Sequence, residues 1–176
     1  MIGRLPDGER LSEQDVSALQ PEKNKDWWEV EALFDLCFVP GREALSSYRL
    51  RDGVAPLSHL SRVARDDAGV LCGAIRFWPV RIGQAPAVLL GPIAVHPTHQ
   101  GEGLGGQLMR ESLTAAQEAG WERVLLVGDA PYYGRFGFDR LTGVEMPPPT
   151  NPERVLGRAL KAGAWAGISG RVTPWD

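Results

Sequence analysis

A chain of 176 residues is long enough to bury one substantial core, and its 43% hydrophobic and 23% charged content is that of an ordinary globular domain. A net charge of −3 argues against a nucleic-acid binder, which calls for a basic excess or a basic face. Two cysteines far apart, Cys37 and Cys72, make neither a disulfide framework nor a zinc motif and predict a reducing, cytoplasmic setting.

Residues 1–25 are polar, carry Pro6 and Pro21 and contain no leader-like apolar run. They are expected to form a weakly ordered lead-in to a single domain over residues 26–176. From Asp26 to Phe38 the apolar positions Val30, Leu33, Phe34 and Cys37 recur three and four apart, which predicts a helix with Asp26 as N-cap and Pro40-Gly41 as its stop. A shorter helix is expected around Glu43–Leu50. Ser61–Arg65 and Val70–Val80 read as strands joined by the turn Asp66-Asp67-Ala68-Gly69. A second turn, Gly83-Gln84-Ala85-Pro86, leads into Ala87–Val95, apolar on both faces as a central strand is. Pro86, Gly91 and Pro92 interrupt the longest apolar region, Ala85–Val95, so no membrane span is predicted. Pro92 cannot donate to a sheet, which predicts an irregularity near Gly91-Pro92.

Helical spacing returns over Gly103–Ala119, with Leu104, Leu108, Leu113 and Ala116 on one side and Gly120 as the stop. Val124–Val127 is a short buried strand. The middle of the chain is therefore strand, glycine loop, helix, strand, a βαβ unit with a parallel pair. Met146–Pro152 reads as an extended loop. Asn151-Pro152-Glu153 suits a helix start, while Arg154–Leu160 suits a strand equally well.

The chemistry begins at Gln100-Gly101-Glu102-Gly103-Leu104-Gly105-Gly106. A glycine turn at a helix start points several backbone N–H groups outward, backed by the positive end of the helix dipole, and so holds a phosphate without needing a lysine. Gly101, Gly103 and Gly106 satisfy the dinucleotide pattern G-x-G-x-x-G, and Asp129 ends the next strand where a ribose-binding acid would sit. Against that reading, His96 to Gln100 separate the strand from the first glycine, two antiparallel-looking strands precede the motif, and too few residues follow Asp129 for a doubly wound sheet. No Gly-Lys-Ser/Thr is present for a Walker loop.

Gln100, Gly103 and Gly105 match the motif Q/R-x-x-G-x-G/A, the strand Leu90–Pro97 precedes it, and Gly128-Asp-Ala-Pro-Tyr-Tyr-Gly-Arg-Phe-Gly-Phe138 follows. In this combination the sequence resembles the GNAT N-acetyltransferase superfamily over roughly residues 26–173, and in particular a bacterial subgroup with a GDxxYYxRFGF motif. The resemblance implies an α/β (α+β) fold with a mixed sheet of about six to seven strands, splayed between the fourth and fifth and flanked by about four helices. It also implies strands at Val155–Leu160 and Ile168–Val172. Acetyl-CoA would be the co-substrate, with its diphosphate on Gln100, Gly101, Glu102, Gly103, Leu104, Gly105 and Gly106 and its pantetheine arm beside Ile93, Ala94 and Val95.

Tyr133 stands at the position of the family's general acid, with Tyr132 as a cofactor neighbour. The acceptor implied is a primary amine, on a small molecule or a protein, attacking the thioester directly. Asp129, His96, His99 and Glu102 are the nearby candidates for a base, although a water chain would serve. His96 and His99, lacking a carboxylate partner in the sequence pattern, read as turn residues and not metal ligands, and no metal is expected. Cys72 reads as core. Trp27, Trp28, Trp78, Tyr48 and Arg49 fall in segments that line the acceptor cleft in this superfamily, and Arg135 is expected to face solvent or the CoA phosphates. A non-catalytic acyl-CoA-binding module is the alternative. Homodimers are frequent in the superfamily; no nucleic acid or membrane partner is expected.

Overall fold

The structure, a computed structural model, describes residues 19–38, 42 and 45–176. The polypeptide opens with a two-residue strand β1 (Gln20–Pro21) and a 3-10 turn (Asn24–Asp26), then forms α1 (Trp27–Cys37). A second 3-10 turn (Ser46–Leu50) leads to β2 (Arg62–Arg65), β3 (Leu71–Ile82) and β4 (Ala85–Val95). After a one-turn 3-10 segment (Pro97–His99) come α2 (Leu104–Glu118), β5 (Arg123–Val127) and the short α3 (Ala130–Gly134). The chain ends with β6 (Asp139–Arg140), β7 (Val144–Glu145), β8 (Val155–Ala159) and β9 (Gly170–Pro174).

One mixed sheet runs in the order β1-β2-β3-β4-β5-β8-β6, with β9 pairing the outer end of β3 and β7 lying beside β9. Its nine strands among the described residues exceed the expected six to seven because β1, β6 and β7 are two-residue strands with no periodicity to read. Period-2 alternation divides the core between two faces. Val63, Ala74 and Ala94 meet Val30, Leu33 and Phe34 of α1, whereas Ala64, Ile75 and Phe77 meet Leu104, Leu108 and Leu113 of α2. Gly73 permits the second contact: a β-carbon there would lie 3.0 Å from Leu104 and 3.1 Å from Leu108.

The β3–β4 hairpin carries the fold's centre. Its connection is only Gly83-Gln84, with Gly83 at φ +59°, so Ala85 and Pro86 belong to the strand and not to the turn. Between Phe77↔Leu90 and Ile75↔Ile93, two steps on β3 face three on β4, a bulge at Gly91-Pro92 where the unpairable proline predicted one. The Asp66–Gly69 turn forms as expected, held by Asp66 Oδ1 accepting from the N–H groups of Ala68 and Val70 at 2.9 Å.

Several expectations need correction. Asp26 does not cap α1 with its side chain; it accepts from Lys23 N–H at 2.9 Å and pairs with Arg65, and burial favours that paired position over a solvent-facing cap. Of the lead-in, residues 1–18 lie outside the described residues, but Gln20–Pro21 pairs with Arg62 and Val63, and Glu22 is buried. The Pro40-Gly41 stop and residues 43–44 also lie outside the described residues. The open choice at Asn151–Leu160 resolves into both readings in succession: Asn151 Oδ1 caps a single 3-10 turn, and β8 follows. The last strand begins at Gly170 and not Ile168.

Candidate active site

Two cavities flank the β4–α2 junction. The first, of about 730 Å³, is lined by Gly101, Gly103, Gly105 and Gly106, with Tyr132, Arg110, Arg135 and Arg158 around them. Gly101 and Gly103 hold φ values of +87° and +83°, the left-handed region that costs a side-chain-bearing residue about 1–2 kcal/mol. Gly103 is the residue before α2, so the free N–H groups of the helix's first turn open at this cavity. Gly103→Ala is expected to cost about 1–2 kcal/mol in stability from that strain, measurable by urea unfolding.

Not every residue of the predicted loop contributes a side chain. Gln100 Nε2 donates to Val95 O at 3.1 Å, bracing the loop on the end of β4. Glu102 turns to His99 Nδ1 at 3.1 Å, and Leu104 is buried on Gly73. The dinucleotide reading loses its acid: Asp129 caps α3, accepting from Tyr132 N–H at 3.2 Å. Beyond β5 the sheet continues with antiparallel β8, not with a parallel strand of a doubly wound sheet.

The second cavity lies where β4 and β5 part. These parallel strands pair only at Val88↔Val124 and Leu89↔Leu125, while β5 stays paired to β8 along its whole length. From Leu90 and Leu126 onward they diverge, and a cavity of about 160 Å³ fills the opening, walled by Leu90 to Ile93 on one side and Leu126, Val127 and Tyr133 on the other. His96 N–H bonds to Cys72 O on β3 at 2.8 Å, so by alternation the backbone polar groups of Val95 and Ile93 face the opening. The Val95 carbonyl already receives Gln100 and Cys37 Sγ; Ala94 points the other way, into the α1 core.

Tyr133 and Tyr132 stand on α3, ring edge to ring face at 4.9 Å, and divide the two cavities between them: Tyr132 lines the first and Tyr133 the second. Gly128 makes room, since a β-carbon there would collide with the Tyr133 ring. Burial pushes the Tyr133 phenol up to about 12, with Tyr132 and Asp129 adding to the effect. The ring therefore stays protonated at any physiological pH. Arg135 stacks on Tyr132 at 4.5 Å beside the first cavity.

Of the predicted bases, none lines the second cavity. His96 Nδ1 is engaged with Thr98, and His99 lies between Glu102 and Asp66, the latter at 3.7 Å, so the sequence pattern's missing carboxylate partner is supplied by contact. No group of three or more such side chains able to hold a metal occurs among the described residues. Cys72 is buried core, its thiol pushed up by burial.

The acceptor-side expectations divide. Tyr48 lines the second cavity, and Trp78 lies buried behind it, donating Nε1 to Gly91 O at 2.8 Å. Trp27 instead packs on Arg76, while Trp28 is 80% exposed and Arg49 is exposed, so neither lines the opening. Sequence reasoning passed over Arg51, which does line it, and over Arg110 and Arg158 at the first cavity. Arg110 was findable: it lies on α2 four residues after Gly106, one turn along the same face. Arg158 reaches the site through tertiary pairing of β8, which leaves no local signal.

A family model described as an acetyltransferase (GNAT) domain matches residues 58–140. The uncharacterized N-acetyltransferase YhbS of Escherichia coli is 35% identical over 113 residues, covering 62% of this chain and 66% of that protein, just short of two thirds of its length. The crystal structure of Escherichia coli YhbS in complex with CoA overlaps 95% of this chain and 94% of its own, with a TM-score of 0.80 and 28% identity. A GNAT family acetyltransferase from Brucella melitensis, solved in complex with acetyl-CoA, overlaps 91% of this chain and 96% of its own, with a TM-score of 0.63 and 30% identity.

Proposed function

This chain belongs to the GNAT acetyltransferase family, and from that premise we propose that it transfers the acetyl group of acetyl-CoA directly to a primary amine within a ternary complex. The observation that carries the proposal is the parting of β4 and β5 beside a glycine cradle, with Tyr133 at the opening.

Each part of the thioester finds suitable chemistry. The N–H groups from Gln100 to Gly106 receive the diphosphate at the positive end of α2, a site that side chains would fill if Gly101, Gly103 or Gly105 carried them. Arg110, Arg135 and Arg158 border the same cavity and offset the remaining phosphate charge. The backbone of Ile93 and Val95 takes the pantetheine arm as an added strand, and an N–H facing the opening stabilises the developing oxyanion. Tyr133 donates a hydrogen bond to the sulfur as it leaves.

No carboxylate or histidine among the described residues lines the second cavity, so the acceptor arrives as ammonium and loses its proton to water. The kcat/KM for an alkylamine is therefore expected to climb about tenfold per pH unit toward the amine's own pKa, about 10.4. The midpoint should move when the acceptor's pKa is changed. A fixed midpoint near neutrality, common to all acceptors, would reveal an enzyme base instead.

Isothermal titration with acetyl-CoA and with NAD tests the proposal at its root. Binding of acetyl-CoA and none of NAD is expected; tighter NAD binding overturns it. A thiol-release assay across an amine panel then separates a transferase from a chain that only binds the thioester, which would keep the affinity and release no thiol.

A further inference from the structure

Arg51 is the one cation on the wall of the second cavity among the described residues. It follows the Ser46–Leu50 turn and is only 9% exposed. Its Nε and Nη1 are buried with no hydrogen-bond partner, and Nη2 reaches Ser47 Oγ only at 3.4 Å, long for a hydrogen bond. No carboxylate of the described residues pairs with it, in contrast to buried Arg76, which binds Glu22 and Glu31.

The surroundings hold this guanidinium without neutralising it. The Tyr48 ring lies 4.0 Å from it and the Trp78 ring 5.3 Å. Gly91, at φ +133°, presents bare backbone: a β-carbon there would stand 3.6 Å from Nη2. Burial lowers the guanidinium to about 10; the Tyr48 hydroxyl opposes that shift, the positive fields of Arg76 and Arg42 add to it, and the group remains charged at neutral pH. Arg51 is thus a buried cation with two unpaired nitrogens beside two aromatic rings, and each edge of its guanidinium joins one of those nitrogens to the weakly held Nη2. A carboxylate matches its fork.

We propose that Arg51 binds a carboxylate on the acceptor, so that the substrate is a small amino carboxylic acid whose amine is directed toward Tyr133 across the same cavity. The size of the opening agrees. Its volume of about 160 Å³ gives room for a compact head group carrying both charges. A polyamine would bring only positive charge to Arg51. A lysine side chain presents its amine with no carboxylate alongside.

The inference rests on the acetyltransferase reading, and its test separates the two. Amino acids, including β- and γ-amino acids, are compared with their own carboxamides and decarboxylated amines by thiol release at saturating acetyl-CoA. The carboxylate member of each pair should be favoured in kcat/KM by about 10- to 100-fold, the range for a hydrogen-bonded charge pair. In Arg51→Gln that ratio should collapse toward one while calorimetric acetyl-CoA affinity stays within about threefold; Arg51→Lys should restore part of it. A ratio near one in the wild type, or a ratio that survives Arg51→Gln, overturns the proposal, as does a large loss of acetyl-CoA affinity in that variant. If no acceptor in the panel turns over, binding of N-acetyl amino acids against their N-acetyl carboxamides to the CoA-loaded protein decides, and equal binding counts against Arg51. Failure of the wild type to bind acetyl-CoA sinks the acetyltransferase reading itself.

Discussion

Tyr133→Phe is expected to lower kcat about 100-fold while leaving the acetyl-CoA dissociation constant within about threefold, measured by steady-state kinetics and calorimetry. The phenyl ring preserves the packing against Tyr132 and Phe138, so only the hydroxyl is lost. That hydroxyl is too weak an acid to hand its proton fully to the thiolate. With the phenol at about 12 and a thiol near 8.5, complete transfer runs uphill by about 3.5 pH units, or roughly 5 kcal/mol. Its contribution is a hydrogen bond that strengthens as charge gathers on sulfur, an interaction made in the transition state and scarcely in the ground state. Because burial raises the phenol far above the working range, the variant's pH profile between about pH 6 and 10 should have the wild-type shape at a lower level. Unchanged turnover would remove Tyr133 from the chemistry. A profile that loses a limb would instead make it a titrating acid.

The parts of this site that a reader of the sequence can find are those governed by backbone geometry. Gly101 and Gly103 require positive φ, and the strand before them and the helix after them are periodic enough to be bounded within two residues. The opening between β4 and β5 is different. Its existence came from family likeness, because the one mark in these segments, Pro92, foretells the bulge against β3 and not a parting of β4 from β5. The acceptor wall was hardest. Arg49 and Arg51 look alike in the sequence, yet a 3-10 turn sends the first to solvent and folds the second under Tyr48, a difference set by local rotation and not by composition. Trp27, Trp28 and Trp78 show the same ambiguity: one packs on Arg76, one is bare, and one is bonded to Gly91. The two-residue strands β1 and β6 are too short for any alternation to register and exist only because a longer neighbour offers them an edge.

Arg76→Met should destabilise the fold by about 3–5 kcal/mol and lower Tm by on the order of 10 °C in thermal unfolding. Arg76 is 2% exposed on the α1 face of β3, where Nη2 meets Glu22 Oε1 at 2.8 Å, Nη1 meets Glu31, and the guanidinium lies 4.0 Å from the Trp27 ring. Removing the cation strands Glu22, whose side chain is only 6% exposed, as a buried anion, and that uncompensated charge makes up most of the cost. Glu31 suffers less, since Arg42 still holds it. Replacing Glu22 by Leu in the same chain should therefore recover more than half of the loss, because an apolar pair no longer buries a lone charge. A single variant within 1 kcal/mol of wild type, or a double variant no better than the single, would refute this account. The chain of contacts gives the cluster a second consequence. Arg42 joins Glu31 to the Tyr48 hydroxyl at 2.7 Å, and Tyr48 is the platform on which Arg51 rests. Loss of Arg76 thus loosens the acceptor wall while leaving the glycine turn of α2, on the other face of the sheet, undisturbed. Well below its Tm the Arg76→Met protein should bind acetyl-CoA normally and show a raised KM for its acceptor.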